Sequence, residues 1–201
     1  HLTTDQKVTG LNPVGVTNIK TGRIGKRFIP FLIFIPPLPY SKMNDMEKMN
    51  EFEREWAKML NGEPYDAVHP EFLRRLQETR MAIWEFNNLR PDQTEEMHAI
   101  LHRILGKCGE RVHVNQPFRC DYGCNVHIGD DVFINFNLTI LDEGRVTIGN
   151  NVLIGAGAKV LGPFKVGDNS NIASGAVVLD EIPPNSTAVG VPARVIKRNG
   201  K

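Results

Sequence analysis

VHIGDDVFINFNLTILDEGRVTIGNNVLIGAGAKVLGPFKVGDNSNIASGAVV, from Val126 to Val178, repeats itself every six residues. Ile128, Ile134 and Ile140 are six apart, and after a two-residue slip the series resumes as Ile148, Ile154, Val160, Val166, Ile172 and Val178. Two places earlier in each unit runs a second, mostly apolar series: Val126, Val132, Leu138, Val146, Val152, Ala158, Phe164, Ser170 and Ala176. Neither the helical period of about 3.6 nor an ordinary strand-and-turn pattern accounts for it. Hexads of this kind mark a β-solenoid, a parallel β-helix in which each repeat supplies one short side of a coil. A branched residue every six positions stacks on its equivalents and fills a narrow interior column. Gly, Asn and Asp in IGDD, IGNN and VGDN bend the chain at the corners, where they tolerate positive φ at least cost. Three hexads close one triangular coil, so the whole repeat, from Val112 to about Glu181, predicts roughly three to four coils.

Upstream, between Met43 and about residue 110, the period becomes helical. Met46, Met49, Phe52, Trp56 and Leu60 predict a first amphipathic helix ending near Asn61-Gly62. Pro70 suits the first turn of a second, carrying Phe72, Leu73, Leu76, Met81, Ile83 and Phe86. A third is expected from Pro91-Asp92 to Gly106. These helices form an N-terminal cap over residues 43–110, closing the lower end of a β-helix that spans 111–201. His98 and His102 lie one turn apart, but no Glu follows His98 to make a metalloprotease motif, and a helix face is the better reading.

Residues 1–42 follow neither pattern. Their apolar run FIPFLIFIPPLP (Phe28 to Pro39) is too short to span a membrane as a helix, and its prolines would interrupt one. The segment is expected to be an extension outside the functional unit, with Met43 the natural start. A net charge of +1 in 201 residues gives no broad attraction to nucleic acid or anionic membrane. Cys108, Cys120 and Cys124 read as reduced thiols of a cytoplasmic protein rather than a disulfide framework. The C-x3-C pair has no second pair nearby, so buried packing of Cys120 is preferred over a metal site.

Several blocks carry a family resemblance: GEPYDAVHPEF (Gly62 to Phe72), EFNNL (Glu85 to Leu89) and FRCDYGCNVHIGDDVFINFNLTILDEGRVTIGNN (Phe118 to Asn151). They resemble maltose and galactoside O-acetyltransferases, and the tail from Gly167 to Arg198 also resembles serine acetyltransferases. The short GEPYD-bearing cap argues against the latter, which use a different and larger helical domain. The resemblance implies a homotrimer of left-handed β-helices that moves an acetyl group from acetyl-CoA to a sugar hydroxyl, in clefts between subunits. It assigns the sugar to Asp66, Asp121, Asn135 and Asp142, short carboxylates and amides that pair with hydroxyls. It assigns CoA to Ala156 and Ser174 along the coil, and to Arg194 and Lys197 at the nucleotide phosphates. For Asn135 and Asp142, corner residues of their coils is the alternative reading; for Arg194 and Lys197, a solvated basic tail.

The sequence departs from that family in two places. A Thr-Lys pair that precedes the Ile-Pro-Pro turn in the family is Leu179-Asp180 here. More seriously, the family's general base is a His in a long segment between two similar IG(D/N)N repeats. Here VTIGNNVLIGAGAKV runs from one repeat directly into the next, so about two coils are missing together with that His. His127 is the one remaining candidate inside the repeats, but its phase points it outward; His113 is weaker still. Two functions stay open: an acetyl-CoA-dependent O-acetyltransferase acting on a sugar (or, within enzymes, on serine), and a non-catalytic trimeric β-helix.

Overall fold

In a computed structural model of the protein, residues 49–198 are described, the side chains of Lys197 and Arg198 excepted. The expectations about residues 1–42 and a start at Met43 lie outside the described residues.

The hexads form a solenoid of about four turns, with three parallel sheets as its faces. Face one holds β1 (His113–Val114), β4 (Phe133–Ile134), β7 (Leu153–Ile154), β10 (Asn171–Ile172) and β12 (Ser186–Val189). Face two holds β2 (Phe118–Arg119), β5 (Leu138–Leu141), β8 (Lys159–Leu161) and β11 (Val177–Val178). Face three holds β3 (Val126–Ile128), β6 (Val146–Ile148) and β9 (Phe164–Val166). The six-residue isoleucine and valine column points inward throughout, and Ile134, Ile140, Ile154, Val160, Val166, Ile172 and Val178 are fully buried.

The slip in the sequence has a structural address. His113 pairs with Phe133 and Phe133 with Leu153, steps of 20 residues, whereas Leu153 pairs with Asn171, a step of 18. The two extra residues of each longer coil sit at the corner between faces two and three, after Arg119 and again after Leu141. The earlier slip is invisible in the hexads because the inward column there holds Phe118 and Cys120, not isoleucine. Cys120 follows Arg119, which pairs with Thr139, so it continues the column beneath Ile140 and packs against the core.

The corner between faces three and one explains the Gly-Asp/Asn motif. Asp131, Asn151, Asn169 and Asn185 take φ of 57°, 52°, 56° and 58°, the left-handed region in which Asn and Asp are least penalised. Their amides form a ladder: Asn151 Nδ2 donates to Asn169 Oδ1 (2.9 Å) and Asn169 Nδ2 to Asn185 Oδ1 (3.1 Å). One residue earlier, Asp168 Oδ1 accepts the Asn150 N–H and Asn150 Oδ1 the Asp130 N–H, each at 2.8 Å.

Among the described residues, three helices close the lower end. In α1 (Glu51–Leu60), Asn50 and Glu53 form a reciprocal cap. Pro70 opens α2 (Pro70–Asn88), where the His69 Nδ1 accepts the Glu71 N–H. The third helix, α3 (Thr94–Ile104), starts a few residues later than Pro91-Asp92 because a turn from Arg90 to Gln93 comes first. Ile83, Phe86, Ile100, Leu101 and Leu105 join one continuous core with Val112, Val114 and Phe118 of the first coil. At the other end, β13 (Arg194–Arg198) folds back antiparallel on β12, an arrangement the hexads do not foretell. His98 and His102 are exposed on α3.

Candidate active site

The corner between faces two and three gathers three carboxylates, Asp121, Asp142 and Glu143. In the first coil its extra residues form a bulge, Cys120 to Asn125, that reaches into the cap. Tyr122 is buried there against Trp56 (ring centroids 5.0 Å apart) and Phe72 (6.1 Å), and the Thr79 hydroxyl donates to the Tyr122 carbonyl at 3.0 Å. One coil on, Asp142 holds the bulge from the other side. It is fully buried; its Oδ1 accepts the N–H groups of Asp121 (2.9 Å) and Tyr122 (3.0 Å), while the Asn125 amide donates to its carbonyl (2.7 Å). Its Oδ2 is buried without a hydrogen-bond partner among the described residues. Burial lifts its pKa to about 6 against the pull of those N–H groups, and Asp121 adds to the rise.

Asp142 is therefore placed to support Asp121, and the half-buried neighbour Glu143 presents its carboxylate at the same corner. Burial raises Glu143, helped by Asp121 and Asp142; burial also raises Asp121, with Arg80 opposing. Tyr65, pushed up to about 12 chiefly by burial, feels both Glu143 and Asp121. That brings the Tyr65-Asp66 turn of the cap to the same corner. The Asp66 N–H donates to Glu55 at 2.6 Å, and its Oδ1 accepts the Val68 N–H at 3.2 Å. Of the residues read from the sequence, Asp121 and Asp142 thus meet, while Asp66 adjoins them through its neighbour Tyr65 and makes its own bonds to Glu55 and Val68. Glu143 was missed, and only knowing that the corner is two residues longer would have separated the inward Asp142 from its outward neighbour.

Asn135, Ala156 and Ser174 gather at a different corner, between faces one and two. The chain climbs there through Asn135-Phe136, Gly155-Ala156 and Ala173-Ser174, linked by Asn135 N–H to Ile154 and Gly155 N–H to Ile172 (2.9 and 2.8 Å). Gly157 and Gly175 follow with φ of 72° and 70°, in line with Asn137 at 63°. Any Cβ at Gly155 would stand 2.4 Å from the Ser174 nitrogen, so the coils stack with little between them. The result is a narrow column of small residues. Arg194 is exposed where the β12–β13 hairpin begins to return, just after Ala193, whose N–H donates to Val177. The Lys197 side chain lies outside the described residues.

No histidine is among the groups that shift Asp121, Asp142 or Glu143. His127 is on the outward side of face three, paired with Thr147, and burial with Arg145 and Lys107 holds it below the usual histidine range. His113 stacks on Phe133 (5.0 Å, 9°), with its Nε2 3.2 Å from Asn115 Oδ1. From His113 to Ile172 the coils step from face to face without an inserted loop.

Comparison with known proteins agrees with this architecture. The maltose acetyltransferase hexapeptide capping motif matches residues 58–109, and the six-repeat bacterial transferase hexapeptide matches residues 145–180. A putative acetyltransferase of Saccharomyces cerevisiae is 33% identical over 177 positions, covering 70% of this chain and 90% of its own length. Galactoside O-acetyltransferase of Escherichia coli is 33% identical over 151 positions, covering 57% of this chain and 74% of its own length. A galactoside acetyltransferase solved in complex with coenzyme A superposes with a TM-score of 0.62 at 29% identity, covering 76% of this chain and 92% of that one. The yeast alignment takes up only about 141 residues here (70% of 201), leaving some 36 of its 177 positions without a counterpart. At 18 residues a coil, as between Leu153 and Asn171, that is the length of two coils. The cap, the coils and these relatives together place the chain in the family of hexapeptide-repeat O-acetyltransferases that carry the maltose acetyltransferase cap.

Proposed function

We propose that the protein is an acetyl-CoA-dependent O-acetyltransferase whose acceptor is a sugar hydroxyl. The observation that carries this reading is the carboxylate corner under the cap, where Asp121 and Glu143 converge beside Tyr65, the residue before Asp66. Short acids at fixed separations pair with the hydroxyls of a ring and orient one of them. The small-residue column of Ala156 and Ser174 suits the pantetheine arm of the cofactor, with Arg194 and Lys197 toward its phosphates. In the reaction the hydroxyl oxygen attacks the thioester carbonyl, a C–O bond forms, the C–S bond breaks, and CoA leaves as the thiol. The hydroxyl proton needs an acceptor. Asp121 and Glu143, both held above the ordinary carboxylate range, are the groups at that corner able to take it.

The acceptor corner and the cofactor column occupy different corners of one coil, which a homotrimer reconciles by setting one subunit's column against its neighbour's acids. Phe133 (40% exposed), Leu153 (46%) and Phe136 (53%) form an apolar strip on face one and its corner, of the kind that subunit contacts cover. The free thiols Cys108, Cys120 and Cys124 fit a reducing compartment, the cytoplasm. A specific observation favours a second reading, a binding scaffold without turnover: about two coils' length of the yeast relative, and any histidine it holds, has no counterpart here.

The test is release of free CoA thiol from acetyl-CoA by the full chain, against a panel of sugars with serine as control. Sugar-dependent release is expected. If Glu143→Gln abolishes it while His127→Ala remains active, the acids take the proton; the reverse pattern assigns it to His127. CoA binding with no release for any acceptor would leave the scaffold reading alone.

A further inference from the structure

A groove of about 470 Å³ runs between α2 and face two, starting at Asp121 and leading away from the carboxylate corner. Its walls are fixed. Asn87 in α2 spends both amide atoms on β2, donating to the Phe118 carbonyl at 2.9 Å and accepting the Phe118 N–H at 2.8 Å. Gln116 pins the end of the same helix by donating to the carbonyls of Phe86 and Leu89. The groove is thus built by the fold, with helix and sheet clamped at both ends.

Its lining is unlike the rest of the cap. Trp84 stands in the wall with 64% of its surface exposed and makes no ring contact among the described residues. The other tryptophan, Trp56, is packed into the aromatic cluster with Phe72, stacked at 5.5 Å. Arg80 and Arg119 line the groove, and neither makes an ion pair among the described residues, although most arginines of α2 and α3 do. Asn88 and the outward Thr139 add polar groups. An open indole face beside unpaired guanidinium forks is the chemistry that receives a sugar ring. The apolar C–H face of the ring covers the indole, and its hydroxyls accept from the guanidiniums.

The geometry points to a second sugar subsite: the acceptor is a glycan of at least two rings, with the reacting ring at Asp121 and Glu143 and the next ring stacked on Trp84 between Arg80 and Arg119. This rests on the sugar-acceptor reading and specifies its substrate class. The volume lies within the range of small-ligand sites and exceeds the need of a single ring. Asp121 belongs to both the acid corner and the groove wall, so the two subsites are continuous.

The test is calorimetric binding of a methyl monoglycoside and of the matching di- and trisaccharides to the full chain, which needs no turnover. The disaccharide is expected to bind about tenfold more tightly than the monoglycoside, the scale of covering one aromatic face. Trp84→Ala and Arg119→Ala should erase that gain and leave monoglycoside affinity unchanged, while Trp84→Phe keeps part of it. Equal affinity for one and two rings overturns the subsite and leaves the acceptor reading standing. So does a Trp84→Ala variant that weakens all ligands alike, which marks a structural role. If no glycoside binds at all, both readings fall.

Discussion

Asp142 illustrates how one residue type serves two purposes a single position apart. An acid at a solenoid corner reads as a turn former or as a ligand for a substrate. In this chain the fold seals it and gives its Oδ1 to two N–H groups of the coil below, so it acts on the corner by holding Asp121 and Tyr122. A carboxyl pKa raised from 3.8 to about 6 means the folded state holds the proton more tightly than the unfolded chain. The associated stability is fully present below about pH 4 and is lost as pH rises through about 6, a change on the order of 3 kcal/mol. Asp121 and Glu143 are raised as well and add to the same slope. Asp142→Asn retains an acceptor for both N–H groups and carries no charge. Urea midpoints at pH 4.5 and 7.5 should therefore converge in the variant; an undiminished gap would remove Asp142 as the source.

At the scale of elements, the solenoid is held by columns that cross coils rather than by any one strand, each only two to five residues long. Asn169 is the middle rung of an amide ladder and also adopts φ of 56°. Asn169→Ala loses two side-chain bonds and places an unassisted residue in the left-handed region, at a cost of about 1–3 kcal/mol. Asn169→Gly removes the bonds but relieves the backbone, so it should cost less, and thermal unfolding of the pair reads the difference. Equal losses would mean that conformation contributes nothing at this corner. Gly149 admits no such choice, since a Cβ there would lie 2.2 Å from Asp168 Oδ1. The bulge at Cys120 to Asn125 is the element that joins cap and coil, and its Tyr122 is the pin.

For the whole molecule, cap and coils share one continuous core, while the candidate site is divided between two corners. On the proposed reading, function then depends on assembly of a trimer. Phe133 and Leu153 stand outward in register on face one, paired with each other and away from the core column. Charges introduced there, as in a Phe133→Lys/Leu153→Lys double variant, should leave the coil folded by circular dichroism but dissociate the proposed trimer in light scattering, with loss of turnover. A variant that remains trimeric would exclude face one from the interface. Missing coils need not harm folding, because a solenoid tolerates removal of whole turns when its register is kept.

The solenoid, its cap and the family were legible in the amino-acid sequence because their signals are local and repeated. Inward isoleucines at a fixed period, corner Asn and Asp, and helical spacing from Phe52 to Leu105 each depend only on near neighbours. The absence of about two coils shows only against the family's longer chain, since removing whole coils keeps the register. The candidate site was legible in part. Asp66, Asp121 and Asn135 were named from the sequence, but which of two adjacent acids turns inward was decided by a two-residue excess at one corner. That excess shows only when Thr139 is seen above Arg119. Trp84 and the groove beside it were silent for the same reason. Their walls come from a helix and strands that are distant along the chain, brought together by the burial of Phe86 and Phe118. Periodicity records what each residue must do for its own coil, and tertiary packing alone decides which corners, faces and helices meet.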